Sequence, residues 1–153
     1  MELTVSSTVF REGETIPAKY TCQGEDISPS ITWGEPPDGT RSLAIIVDDP
    51  DAPGGVFTHW IIFNLPADTR QLPAAVPTQP QLDSGARQGK TDFGRVGYGG
   101  PCPPPGKPHR YQFTVYALDR TLDLAAGASK SQVLEAMQGN ILSRGRLTGI
   151  YER

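Results

Sequence analysis

Proline and glycine punctuate the whole chain, with 17 glycines and 15 prolines among 153 residues. Proline fixes φ and has no backbone N–H to donate, and glycine offers no side chain to pack. Their spread leaves room only for short elements between turns, which argues against a helical bundle and for a globular, β-rich fold. A chain of this length buries about two thirds of its unfolded surface, so one domain over residues 1–153 is expected. The longest unbroken apolar run, Leu43 to Val47, is too short to span a membrane, and no membrane insertion is expected. A net charge of −3 argues against a nucleic-acid partner. The opening residues have neither the basic nor the apolar region of a secretory leader, so the expected location is cytoplasmic.

The two cysteines, Cys22 and Cys102, cannot form a four-ligand zinc site by themselves. Two reduced, partly buried thiols are the first expectation for a cytosolic chain. One disulfide is the alternative, and spatial geometry decides between them.

Hydrophobic periodicity places the elements. Leu3-Thr4-Val5 and Ile31-Thr32-Trp33 read as short strands, the second closed by the turn Pro36-Pro37-Asp38-Gly39. Ser42 to Val47 and His59 to Asn64 have the length and β-branched content of buried central strands. Arg110 to Leu118 alternates, with Tyr111, Phe113, Val115 and Ala117 on one face. A helix is expected after Ser129, whose spacing to Gln132 fits a capping box, with Gly139 as the stop. A last strand is expected over Leu147 to Tyr151. Residues 66–97 show no sustained period and read as a long surface excursion with, at most, a turn of helix. The fold class is therefore mainly β, a two-sheet β-sandwich or barrel-like pair with a few short helices.

Only two histidines occur, His59 and His109. Each opens an expected strand behind a Gly/Pro-rich loop, and aromatic residues follow, Trp60 and Tyr111. Asp48, Asp49 and Asp51 cluster at the end of another strand. Were these strands neighbours, two imidazoles and a carboxylate would converge at one rim. Three chemistries could use them: anion binding, helped by backbone N–H groups at Tyr98-Gly99-Gly100; a two-His, one-Asp metal site; or Asp–His hydrolysis. No Gly-x-Ser-x-Gly, no His-Glu-x-x-His and no phosphate loop supports an enzyme: four of the five residues between Gly100 and Gly106 are prolines, which offer no N–H. The proline run 103–105 reads as a rigid wall before His109. Strict alternation would put Trp60 on the face opposite His59, in the core, where Trp33 is also expected.

Asp49-Pro50-Asp51-Ala52-Pro53, then His59 at a strand start, then Gly100-Pro101 and His109-Arg110-Tyr111 together resemble the phosphatidylethanolamine-binding protein family, also called the Raf kinase inhibitor protein family. Tyr20-Thr21-Cys22, the stretch Gly97 to Pro104 and Gly149 to Arg153 are similar to its bacterial and archaeal branch. The resemblance runs from Leu3 to Arg153. It implies a two-sheet fold with a small rim pocket for phosphate, a carboxylate or a phosphorylethanolamine-like group, and no cofactor and no enzymatic activity. Carried onto this chain, the pocket residues are Asp49, Pro53, His59, Gly100, Pro101, His109 and Tyr111. Asp49 would orient one imidazole and keep it charged. The resemblance further implies a cis peptide near the Asp-Pro-Asp-Ala-Pro loop. The alternative role is a protein–protein regulator, such as a kinase or serine-protease inhibitor. An exposed aromatic patch would allow a homodimer.

Overall fold

The structure, a computed structural model, describes residues 2–153. Eight strands form two antiparallel sheets. The larger has five strands: β3 (Ser42–Asp49), β4 (Phe57–Pro66), β6 (Arg87–Gln88), β7 (His109–Leu118) and β8 (Ile141–Tyr151), in the order β6-β4-β3-β7-β8. The smaller holds β1 (Val5–Ser6), β2 (Ile31–Trp33) and β5 (Gln71–Leu72), in the order β1-β2-β5. One helix, α1 (Lys130–Met137), and a single 3₁₀ turn at Ala18–Tyr20 complete the regular structure of the described residues.

The central strands are buried on both faces, which is why their sequences run apolar without alternation. One face carries Ile45, Val47, Trp60, Ile62, Phe113 and Val115 into a core shared with Val5, Ile31, Trp33 and Leu72 of the small sheet. The other carries Ala44, Ile46, Ile61 and Phe63 against Val133 and Met137 of α1 and against Leu118 and Leu122. The sandwich thus has a third, partial layer. Gly145 lets the N-terminal segment cross β8: Leu3 N–H donates to the Arg144 carbonyl at 3.0 Å, and a Cβ at 145 would stand 1.8 Å from the Leu3 carbonyl oxygen.

The expected elements form with some changes of boundary. Ser129 caps α1 through the capping box with Gln132. Val133 and Met137 of α1 are buried, while Leu134 is 42% exposed. The last strand starts six residues before Leu147, at Ile141, because its outward positions are polar and its glycine pair hides the period. Residues 66–97 hold no helix; they carry β5, β6 and isolated bridges. What organises them is Gln88, fully buried. Its amide N–H groups donate to the carbonyls of Pro77 and Gln79, and its oxygen accepts from the Trp60 indole at 2.7 Å.

Cys22 and Cys102 are joined in a disulfide with their Cα atoms 5.4 Å apart, so the reduced-thiol expectation is corrected. Two distant loops meet there, a closeness that chain spacing does not reveal. All peptide bonds of the described residues are trans, against the cis bond that the resemblance implied. No aromatic side chain among the described residues is exposed, which removes the aromatic patch on which a homodimer was expected.

Candidate functional site

Antiparallel pairing decides where the site forms. β3 ends and β7 begins at one edge of the large sheet, with Asp48 paired to Gln112, so Asp49 and His109 are brought together at that rim. The Asp49 carboxylate accepts from His109 Nδ1 at 2.7 Å, with both side chains nearly buried. A carboxylate accepts, so Nδ1 carries the proton, and Nε2 is left for a ligand.

His59 reaches the same rim through a β-bulge. Val47 pairs with Trp60 and Asp48 with Thr58, so His59 is the extra residue between them. The bulge breaks strict alternation. Trp60 joins the core beneath the small sheet, as expected, while the His59 ring lies 5.2 Å from Tyr111 on that same side and not on the opposite face. His59 Nδ1 donates to the Gly99 carbonyl at 2.8 Å. Phe57, Phe93 and Tyr111 stand around the ring, with centroids 5.0, 5.1 and 5.2 Å away. Burial among them pushes the His59 pKa down from its ordinary 6.5, against the upward pull of the Gly99 carbonyl and of Asp49 and Asp48. His59 is thus biased toward its neutral form.

These residues enclose a hollow of about 120 Å³. Its polar lining comes from Asp49, His59, His109 and Tyr111; Ala52, Pro53, Phe57 and Phe93 supply one apolar side, and Cys102, Pro103 and Pro104 the other. The Tyr111 hydroxyl is buried and has no hydrogen-bond partner among the described residues. Burial and the neighbouring Asp49 charge push its pKa well above the usual phenol value, so it stays a donor at every ordinary pH.

Of the residues expected here, Asp49, Pro53, His59, His109 and Tyr111 line the hollow; Gly100 and Pro101 do not. Two of the three expected backbone donors are spent elsewhere: Gly100 N–H donates to Asp26 Oδ1 at 2.7 Å, and Gly99 N–H to the His59 carbonyl at 3.0 Å. Gly100 serves close approach instead. A Cβ there would stand 2.4 Å from the Tyr20 carbonyl oxygen. Pro101 stands behind the wall, its carbonyl accepting from Cys22 N–H at 3.1 Å. The aspartate cluster also divides. Asp48 turns to the other face, bound by Thr58 Oγ1 and Lys130 Nζ. Asp51 is clamped on the outer rim by the backbone N–H and guanidinium of Arg110, which holds its carboxyl at about 2.

Sequence reasoning missed Phe57 and Phe93. Phe57 lay just outside the expected strand, and Phe93 sits in the aperiodic excursion, where no pattern marks it. Arg95 lies over the Phe93 ring, 4.7 Å from its centroid. Among the described residues, no group of three or more His, Cys, Asp or Glu side chains is arranged to hold a metal ion.

A family model for phosphatidylethanolamine-binding protein matches residues 6–152. A UPF0098 protein of Methanothermobacter thermautotrophicus is 50% identical over 151 residues, which is 99% of each chain. One from Pyrococcus horikoshii is 52% identical and covers all of this chain and 78% of its own length. Two crystal structures superpose closely. A phosphatidylethanolamine-binding protein homologue from Chlamydia trachomatis has a TM-score of 0.90 at 39% identity, covering 99% of this chain and 98% of its own. An E. coli protein described as a new member of the mammalian family has a TM-score of 0.92 at 37% identity, covering 100% and 99%.

Proposed function

Because the chain belongs to the phosphatidylethanolamine-binding protein family, we propose that its rim hollow binds a small oxyanion, a phosphoryl or carboxylate group, without chemical turnover. The observation that carries this reading is the buried Tyr111 hydroxyl, which makes no well-formed hydrogen bond and stands beside the Asp49 carboxylate that His109 already holds. An orphaned buried donor costs about 1–3 kcal/mol, and an oxyanion oxygen in the hollow removes that cost. His109, held by Asp49 through Nδ1, presents Nε2 as a second contact, a donor whenever the ring carries both protons.

Isothermal titration of inorganic phosphate tests the reading. His109→Ala is expected to lose most of the affinity with the fold intact. In Tyr111→Phe the two readouts separate: affinity falls, by about 0.5–1.5 kcal/mol for one neutral hydrogen bond, while the free protein holds or gains stability because the orphan is gone. Wild-type protein that binds no oxyanion would overturn the reading.

A second reading, capture of a phosphorylated or acidic protein partner such as a kinase or serine protease, uses the same hollow. It is favoured by an adjoining outer groove, where Lys107 joins Pro53, Pro104 and His109; that groove gives room to a group larger than a free ion. A cytoplasmic location fits the disulfide only in a cytosol that tolerates disulfides, as in hyperthermophiles. Alkylation of the thiols in fresh extract tests it.

A further inference from the structure

We infer that the hollow selects oxyanions that carry their own hydroxyl, hydrogen phosphate being the simplest, and that neutral His59 sets this preference by accepting that proton at Nε2. The inference rests on the oxyanion reading and goes one step further, to the protonation state of the ligand.

The argument starts from a tautomer. The Gly99 carbonyl can only accept, so the 2.8 Å contact places a proton on His59 Nδ1. In the neutral ring Nε2 is then a lone pair. A fully deprotonated oxygen set against that lone pair would meet an acceptor; an O–H would meet its complement. Neutrality follows from the surroundings. The His59 ring is 4% exposed and walled by Phe57, Phe93 and Tyr111.

The charged groups near the ring do not restore its proton. From β3, the Asp49 charge is already engaged with His109, and Asp48 is tied to Lys130 on the other face. From β7, Tyr111 is a neutral phenol, and Arg110 is occupied by Asp51 outside the hollow. From the 92–99 segment, Asp92 accepts from Thr58 N–H, and Arg95 lies over the far ring of Phe93. The Tyr111 hydroxyl, and His109 Nε2 when that ring carries both protons, suit the unprotonated oxygens of the same ligand.

Sulfate and phosphate have nearly the same size and shape, but sulfate has no hydroxyl near neutral pH and must instead draw a proton from solvent onto His59. At pH 7.5 that is at least one unit above the ordinary histidine value, so sulfate is expected to bind at least about tenfold more weakly than phosphate. The gap closes by about tenfold per pH unit as the solution is acidified toward the His59 pKa. Calorimetry of wild-type protein with sodium phosphate and sodium sulfate at matched ionic strength reads this directly. Repeating it in buffers of different ionisation enthalpy counts protons, and sulfate is expected to take up one more than phosphate does, on His59. In His59→Gln, whose amide can donate, the ratio is expected to move toward one. Equal affinities at pH 7.5, or discrimination that survives His59→Gln, would overturn the inference while leaving oxyanion binding intact. Failure of both ions to bind would overturn the oxyanion reading itself.

Discussion

The Cys22–Cys102 bridge joins residues 80 positions apart, and its removal gives the largest stability change the structure supports. In the chain-entropy model a closed loop of that length removes about 15 cal/mol/K from the unfolded ensemble, or about 4.5 kcal/mol at 25 °C. Unfolding entropy near 2.1 cal/mol/K per residue makes this a fall in Tm of about 14 °C for a chain of this size. The folded state has other ties at the same place. Tyr98 Oη donates to the Tyr20 carbonyl, Gly100 N–H to Asp26, and the Arg153 guanidinium to the Pro103 carbonyl. Reduction should therefore destabilise the protein without unravelling the native wall of the hollow. Calorimetric melts of wild type with and without reductant, and of Cys22→Ser/Cys102→Ser, measure the effect. A fall of about 10–15 °C with unchanged near-ultraviolet circular dichroism at 25 °C is the expected result. A shift below about 3 °C would refute the entropic argument, and loss of the native spectrum on reduction would refute the claim that the other ties suffice.

Four further outcomes follow from particular contacts. His59 has a folded pKa below its unfolded one, so its neutral form contributes stability that is complete above about pH 6.5 and is lost as pH falls toward the folded value; His59→Gln is expected to flatten that part of the Tm-versus-pH curve, and an unchanged slope would contradict the assignment. The Asp51 carboxyl, at about 2, should return toward 4 in Arg110→Ala, as read by carbon-detected NMR titration; an unmoved value would mean that Arg110 does not hold it. Gly100→Ala is expected to cost on the order of 1–3 kcal/mol in urea melts, because the added carbon meets rigid Tyr20 backbone. Gln88→Leu leaves the buried Trp60 indole without its acceptor and the Pro77 and Gln79 carbonyls without their donor, and an unfolding cost of about 1–3 kcal/mol is expected; a neutral result would show water replacing the amide.

The sheet was legible because its central strands announce themselves: Ser42 to Val47 and Arg110 to Leu118 carry their burial in composition and alternation. The helix was legible from one capping box. The long excursion was not, since its anchor is a single glutamine whose partners are two proline-segment carbonyls and a tryptophan on another strand. Periodicity cannot see such a tie. The site divided in the same way. Asp49, His109 and Tyr111 follow from strand ends that pairing must bring together. His59 was legible as a residue but not in its direction, because a bulge re-aims it. Gly100 was misread, since a glycine that opens an N–H to a ligand and one that admits a neighbouring chain look identical in sequence. The bridge was undecidable for the same reason: 80 residues of separation carry no information about 5.4 Å between Cα atoms.

The placement of the hollow bears on how binding and stability are linked. Asp49 is the last residue of β3 and His109 the first of β7, and their 2.7 Å contact continues the ladder that pairs those strands. His59, at the bulge of β4, and Tyr111, on β7, belong to the same sheet. The polar lining therefore belongs to the central strands, which open only when the domain unfolds; loops supply apolar walls, Ala52 and Pro53, Phe93, and Cys102 to Pro104. A ligand held by those four side chains binds the native state alone and should raise the global melting temperature. With the ligand at 100 times its Kd, the gain is about 2.7 kcal/mol. A loop-borne site would show the opposite pattern, with ligand protecting the 101–108 amides from hydrogen exchange and leaving those of β3 and β7 unchanged. Protection that extends through the amides of Val47, Asp48 and Phe113 at saturating phosphate is the expected result, and protection confined to the proline-rich loop would locate the site outside the sheet.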